Sequence, residues 1–406
     1  MGSTGRLTSS VLATVGAGLL AAIAAAPVAI AAAPLALPTF VAGPLLSGGT
    51  LIWQDSAGLE ALSPGAAPRS LLRGGTLAEV STGGGWIALG IDRAVMAGPA
   101  DGKLAKVKPP QGCEPLAAET TSTKGSSSSR SLLAISGRRL FDVVGRSCRV
   151  GGPSKSGAFR LVAFGSDGQY AGLLRRLARR PLAVSAAGKT VAIVSATARE
   201  NSYTVAVIRP GGAHVTTFDT LGISPQVTTD VQTDDAGDVF ANVLASGGPG
   251  PPGEYDDTSG FVVPDGGRPF EPDIHVTITP RSGPVPQTAV SMSDGELAFL
   301  SSTGQIEVLD VATRAPVATV DIAPGNEVLG LALDGTELAW IEQPVAYELW
   351  PPEASHPTTG PTCSYVREPT GPPSIEYENL ADIGSTPVTV GTSPAPVKCT
   401  SRPAPP

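Results

Sequence analysis

At 406 residues, with 41% hydrophobic and only 16% charged side chains, the chain can build a sizeable core and carries less charge than a cytosolic protein usually does. A formal net charge of −8 argues against a nucleic-acid partner, because an acidic surface repels phosphate backbones. The 49 Gly and 39 Pro stop just short of a disordered composition and fall between β-rich runs, so they read as turns.

Residues 1–31 read as an export signal. Arg6 supplies the positive start, Val11 to Ile30 is an uncharged run of small and apolar residues, and Ala29-Ile30-Ala31 offers a small-x-small cleavage site. The run is long enough to serve as an uncleaved anchor. Its Ala and Gly content inserts weakly, however, and Pro27 interrupts the helix, so cleavage is the reading adopted. The membrane is then touched only if this segment stays on. The expected location is outside the cytoplasm, secreted or in the cell envelope.

From residue 40 onward short β runs recur. The second strand of each unit reads Thr50–Trp53, Trp86–Leu89, Ser131–Ile135, Thr190–Val194, Asp238–Val243, Glu296–Leu300 and Glu337–Ile341. Most follow a Gly turn, such as Ser47-Gly-Gly49 or Ser293-Asp-Gly295, which permits the positive φ of a tight hairpin. Third strands follow at Gly58–Leu62, Ala94–Ala97, Arg139–Val143, Tyr203–Ile208, Gly260–Val263, Gln305–Leu309 and Tyr347–Trp350. The units repeat every ~35–60 residues, the period of propeller blades. A small four-stranded sheet cannot bury both faces alone, whereas stacking around an axis does so. The fold class expected is therefore all-β: a single β-propeller of about seven four-stranded blades over residues 40–350, followed by a Pro/Thr-rich segment, 351–406, that decorates the last blade. Gln169–Leu174 falls too close to Thr190 to begin a blade and reads as part of an irregular one. The Gly247–Gly253 run reads as a blade insertion instead of a linker between two sandwiches.

Cys113, Cys148, Cys363 and Cys399 suit an oxidising compartment. Of three possible connectivities, the sequence-near one, Cys113–Cys148 with Cys363–Cys399, is expected. No Cys or His spacing suggests zinc.

Candidate chemistry is sparse. Arg175, Arg176, Arg179 and Arg180, with Leu173, Leu174 and Leu177, would make an amphipathic helix for anionic surfaces, but read better as a solvated connector. Ala183 to Thr190 matches a loose phosphate-binding loop, yet a strand follows where a helix is required. His214, His275 and His356 are isolated. Asp234, Asp235 and Asp238, and Glu254, Asp256 and Asp257, could bind Ca²⁺ or form a catalytic pair, but the first group frames a Gly turn and the second lies in an insertion. Trp53, Trp86 and Trp340 sit on second strands and read as core, leaving Trp350 as the exposed aromatic. No catalytic, cofactor or metal residue is assigned, and no cofactor is expected.

The unit Ser291–Arg314, SMSDGELAFLSSTGQIEVLDVATR, resembles the blades of WD-repeat-like and TolB-type propellers of bacterial exported proteins. The likeness continues over Leu329–Trp350 and Val184–Asp219. It implies a scaffold that presents loops around a central channel to an envelope protein or a wall polymer, as a single chain. The rival expectations are a propeller-type glycoside hydrolase or lyase, which would bring carboxylates together at the axis, and a structural wall protein with no concave site.

Overall fold

The computed structural model describes residues 34–36, 40–74, 77–91, 94–110, 113, 115, 132–144, 159–178, 181–196, 202–210, 212–219, 226–246, 258–272, 274, 290–301, 303–347, 367–382 and 387–392. After a short β1 (Leu35–Ala36), the strands fall into seven antiparallel sheets. Blade 1 holds β2 (Phe40–Ser47), β3 (Thr50–Asp55), β4 (Gly58–Leu62) and β5 (Arg69–Leu72), and blade 2 holds β6 (Leu77–Gly83), β7 (Trp86–Ile91), β8 (Ala94–Pro99) and β9 (Ala105–Lys106). Blade 3 holds β10 (Leu133–Ser136), β11 (Arg139–Val144), β12 (Phe159–Phe164) and β13 (Tyr170–Leu177). Blade 4 holds β14 (Ala183–Ala187), β15 (Thr190–Ala196), β16 (Ser202–Arg209) and β17 (Gly212–Asp219).

Blade 5 has β18 (Gln226–Thr233), β19 (Val239–Ser246) and β20 (Thr258–Val263), with Phe270 bridging Val262 where a fourth strand would lie. Blade 6 has β21 (Val290–Ser293), β22 (Glu296–Leu300), β23 (Ile306–Asp310) and β24 (Pro316–Val320). Blade 7 begins with β25 (Asn326–Asp334) and the long β26 (Glu337–Tyr347), whose far end pairs β27 (Arg367–Pro369). It is completed by β28 (Ser374–Asn379) and β29 (Val388–Thr392), and β1 lies parallel on β29. The first strand of each blade touches the first strand of the next, and β25 touches β2, so the chain is a closed seven-bladed β-propeller. Among the described residues the only helical element is one 3-10 turn, Leu380–Asp382, and no helix is long and apolar enough to cross a membrane.

The apolar runs dictate this arrangement. A strand buried on one face alternates, whereas β3 and β7 are buried at nearly every position because a blade meets a neighbour on each side. The core is accordingly distributed between blades. Ile52, Leu59 and Ala61 of blade 1 meet Val80, Ile87 and Leu89 of blade 2, and on the other face Trp53 meets Ile341 and Tyr377 of blade 7. Each such Leu or Ile contributes about 1.5–3 kcal/mol by leaving water.

Two elements depart from the sequence expectation. In blade 3 the Ser131–Ile135 run belongs to the innermost strand, β10, and Arg139–Val143 to the second; β12 is the third. Gln169–Leu174, Arg175 and Arg176 lie at and in the fourth strand, β13, neither a helix nor a connector. Both members of an inner hairpin are apolar, so sequence alone does not rank them. In blade 7, Tyr347 ends β26 and the third strand comes from Ser374–Asn379, drawn from beyond residue 350. The Gly247–Gly253 run lies outside the described residues; β19 and β20 on either side of it pair directly in one blade, so no domain boundary falls between them.

Candidate functional site: the turn face

The seven turns joining first to second strands gather on one face, around the axis. The inner edges of the first strands have no strand partner within their own blade, so their amides need other partners. In blades 1, 3, 6 and 7 the residue that leads into the turn supplies the connection to the next turn. Ser47 Oγ donates to the Trp86 carbonyl at 3.0 Å, and Gly137 N donates to the Gly83 carbonyl at 3.1 Å. Ser136 Oγ donates to the Gly188 carbonyl at 3.2 Å. Gly188 then packs on Asp235: a Cβ there would meet its Oδ1 at 3.1 Å. Asp234 Oδ2 accepts from Gly295 N at 2.8 Å, Ser293 Oγ from Gly335 N at 2.9 Å, and Asp334 Oδ2 from Gly49 N at 3.2 Å. Contacts of this kind join each turn to the next around all seven blades, by hydrogen bonds at six joins and by packing at Gly188 and Asp235.

Polar side chains further along the inner strands repeat the device. Glu79 and Ser81 accept from the amides of Leu133 and Ile135. Gln232 both accepts from Met292 N and donates to the Val290 carbonyl, and Ser291 accepts from Leu333 N. Farther out, Arg69 reaches the carbonyls of Ala100 and Gly102, and Arg209 bonds the Gly237 carbonyl at 2.6 Å while pairing with Asp265 at 3.1 Å. Where turns lack side chains they touch directly: a Cβ on Gly48 would lie 2.8 Å from Gly85 Cα, and Gly48 has φ +58°, so nothing larger fits.

Asp234, a candidate ligand or acid from sequence, is fully engaged. Its Oδ1 accepts from Gly237 N and Asp238 N, both at 2.9 Å, and its Oδ2 holds Gly295. Burial pushes its carboxyl up to about 6 against the pull of these amides, and the Asp238 carboxylate adds to the rise. Asp334 is raised by burial too; the Gly49 and Gly48 amides oppose this, and the carboxylates of Asp294 and Asp235 add to it. Burial also raises Asp238, Glu296 and Glu337. Among the described residues no three His, Cys, Asp or Glu side chains are arranged to hold a metal ion.

The remaining charge on this face is divided. The turns joining first to second strands carry Asp235, Asp294, Glu296 and Glu337 in blades 5, 6 and 7 and Arg138, Arg139 and Lys189 in blades 3 and 4, and those of blades 1 and 2 hold no charged residue; the turns after the third strands mix signs, with Asp101 and Lys103 in blade 2, Asp265 and Arg268 in blade 5 and Asp310 and Arg314 in blade 6.

The other sequence candidates do not converge here. Trp53 and Trp340 are each 1% exposed and satisfy their indoles two residues along: Trp53 Nε1 donates to Asp55 Oδ2 at 3.2 Å, Trp340 Nε1 to Glu342 Oε2 at 3.1 Å. Trp86 is half-buried between blades 2 and 3. Ala183 to Thr190 is strand β14 and the Gly188-Lys189 turn that joins it to β15. His214 lies exposed on β17, and Arg175 and Arg176 on β13, both at the rim. Cys113 is buried between blades 2 and 3. Cys148, Cys363, Cys399, His275, His356, Glu254, Asp256, Asp257, Arg179, Arg180 and Trp350 lie outside the described residues.

Sequence reasoning passed over Ser47, Ser136 and Ser293. The signal was there: each is the last residue before a Gly-containing turn, at the same position in its blade as Asp334.

No protein family and no curated protein matches the sequence. Among solved structures, the chain is similar to apo AztD from Citrobacter koseri, with 11% identity, 88% of this chain and 87% of that one covered, and a TM-score of 0.42. It is similar to the β-propeller domain of the Trilobed protease from Pyrococcus furiosus, with 10% identity, 86% and 98% covered, and a TM-score of 0.42. It is also similar to BamB from Moraxella catarrhalis, with 13% identity, 76% and 85% covered, and a TM-score of 0.35.

Proposed function

We propose that the chain is an exported, non-catalytic scaffold that uses the turn face of blades 5–7 to bind a cationic segment of an envelope protein. The observation that carries this reading is the division of labour among the acids. Asp234 and Asp334, turn-face carboxyls that burial raises, are spent on main-chain amides, Asp234 on Gly237 and Asp238 of its own turn and on Gly295 of the next blade, Asp334 on Gly49. A general acid needs an oxygen free to meet substrate, which is the requirement a glycoside hydrolase or lyase would have to satisfy here. Asp235 and Asp294, by contrast, sit on the first-to-second turns of blades 5 and 6 and set up a negative field beside a neutral and a basic sector. The segment 1–31 delivers the chain outside the cytoplasm, and no cofactor or Ca²⁺ is needed for binding of this kind.

The cysteines fit the same compartment. The bridge between Pro115 and Val144 brings the chain near Cys113 alongside the chain leading to Cys148. Cys113 is 2% exposed and carries no titrating thiol, the condition of a half-cystine. This supports Cys113–Cys148, leaving Cys363 with Cys399; non-reducing peptide mapping tests both pairs.

The binding reading is tested by capture from an envelope extract with wild type and with Asp235→Lys/Asp294→Lys. Loss of the captured protein in the variant, at an unchanged melting temperature, supports it. Equal capture by both proteins, or glycan cleavage by the wild type, refutes it.

A further inference from the structure

Two tryptophans of the propeller tie their indole N–H groups to carboxylates two residues along, and a third does not. Trp53 reaches Asp55 and Trp340 reaches Glu342. Trp86 has Ala88 at that place, and among the described residues its indole N–H has no acceptor. It stands half-buried at the start of β7, where Ser47 Oγ holds its carbonyl. Beside it, on the turn face between blades 2 and 3, lies a cleft of about 250 Å³ that opens to solvent. Trp86, Val107 and Leu140 give it apolar walls, and Arg138, Ser166 and Gly168 line its polar side. The volume falls below the roughly 300–1,000 Å³ of a site for a drug-sized ligand, so one ring or branched chain fits.

The walls are held from both blades. Gly137 N on the Gly83 carbonyl fixes the turn that carries Arg138, and Lys108 N donates to the Gly168 carbonyl at 2.9 Å, seating the Gly165–Gly168 turn on blade 2. A Cβ on Gly168 would meet the Lys106 carbonyl oxygen at 3.2 Å, so the two segments are in close contact. A cleft built in advance loses little conformational freedom when it is filled. Its charged group is a donor. Arg138 is exposed and, unlike Arg69 and Arg209, makes no hydrogen bond or ion pair among the described residues. No carboxylate is among the described residues that line the cleft. The adjoining segments expose Lys103, Lys106, Lys108 and Arg139 against Asp101 and Asp167, and Asp167 Oδ1 already accepts from Gln169 N. In a chain of net charge −8 this is a local excess of positive charge, which draws anions.

We propose that this cleft binds a small apolar carboxylate, its ring or branched chain against Trp86, Val107 and Leu140 and its carboxylate on the Arg138 guanidinium and the Trp86 indole N–H. The guanidinium fork matches a carboxylate with two charge-assisted hydrogen bonds. Walls this apolar with one charged anchor suit such an acid, whereas the hydroxyls of a sugar would be left unmet. The site is separate from the acidic turns of blades 5–7 and does not rest on their proposed use.

Phenylacetate is the probe, titrated into the purified full chain and followed by calorimetry. Saturable binding with a dissociation constant of about 1 mM or below is expected. Arg138→Gln should weaken it about tenfold or more and, as a change at an exposed turn residue, leave the melting temperature unchanged. Added NaCl should weaken it too, and phenethylamine, the same ring on a cation, should not bind. Hydrogen exchange on the wild type supplies a readout independent of any variant: phenylacetate should slow exchange at residues 137–139 and 165–168. Absence of saturable phenylacetate binding, equal binding by folded Arg138→Gln, phenethylamine bound as well as phenylacetate, or protection confined to other blades would overturn the proposal.

Discussion

The inner turns and the outer rim of this propeller solve the same problem in different ways. Both leave backbone groups without a strand partner. Around the axis those groups are met by side chains of the neighbouring blade, such as Ser293 for Gly335 and Asp334 for Gly49, so ring closure is written into the ends of the first strands. At the rim they are left to solvent and protected by prolines, arginines and register shifts, blade by blade. Inner positions should therefore be costly to change, and rim positions cheap.

The sharpest break of that contrast is Trp340→Ala. Removing a 1%-exposed indole that packs between blades and donates to Glu342 should cost about 3–5 kcal/mol, read as a lowered urea midpoint. Asp334→Ala strips the link between last and first blades and leaves the Gly49 amide unmet, at about 2 kcal/mol. A thermal melt should show the loss, with Asp334→Asn recovering part of it because its amide oxygen can still accept.

The pH dependence follows from the raised acids. Asp234 keeps its proton up to about 6 in the fold but loses it near 4 when unfolded, so the folded state binds more protons between those values. Its contribution is complete below about pH 4 and declines as pH rises through 6. The melting temperature should thus climb as pH drops from 7 to 5, by the equivalent of on the order of 1–2 kcal/mol, and Asp234→Asn should flatten the climb. Asp310, held low by the Thr313 hydroxyl, acts in the opposite sense.

Asp142 refines the contrast. It is 0% exposed within blade 3, neither oxygen has a partner in hydrogen-bond geometry among the described residues, and burial raises its carboxyl well above the usual range despite the adjacent Val143 amide. An inner polar group that clasps nothing should be dispensable. Asp142→Asn should change the urea midpoint by less than about 1 kcal/mol in stability terms, or raise it. At the rim, Val317→Lys should stay within about 0.5 kcal/mol of wild type in the same assay.

The seven-bladed ring was legible because buried second strands are apolar at successive positions and Gly turns mark their starts. β3, β7, β15, β22 and β26 stand where those runs predict. Blade 3 was misread by one strand because Leu133–Ile135 and Leu140–Val143 are equally apolar. The last blade was misread because its third strand arrives after 26 intervening residues between β26 and β28 (348 to 373), half of them Pro, Thr and Ser. Asp234 was visible as a turn residue, but not as a clasp, since its partner Gly295 lies 61 residues away and pairing across blades leaves no local pattern. The serines that close the inner turns look like ordinary turn residues until the ring is assembled.

Hydrogen exchange at the turn glycines tests the circuit most directly. If turn-to-turn clasps close the ring, the amides of Gly49, Gly137, Gly295 and Gly335 exchange only through large-scale opening and far more slowly than that of Gly65, whose surroundings are open. Exchange of those four amides at the rate of Gly65 in the native protein would contradict the account.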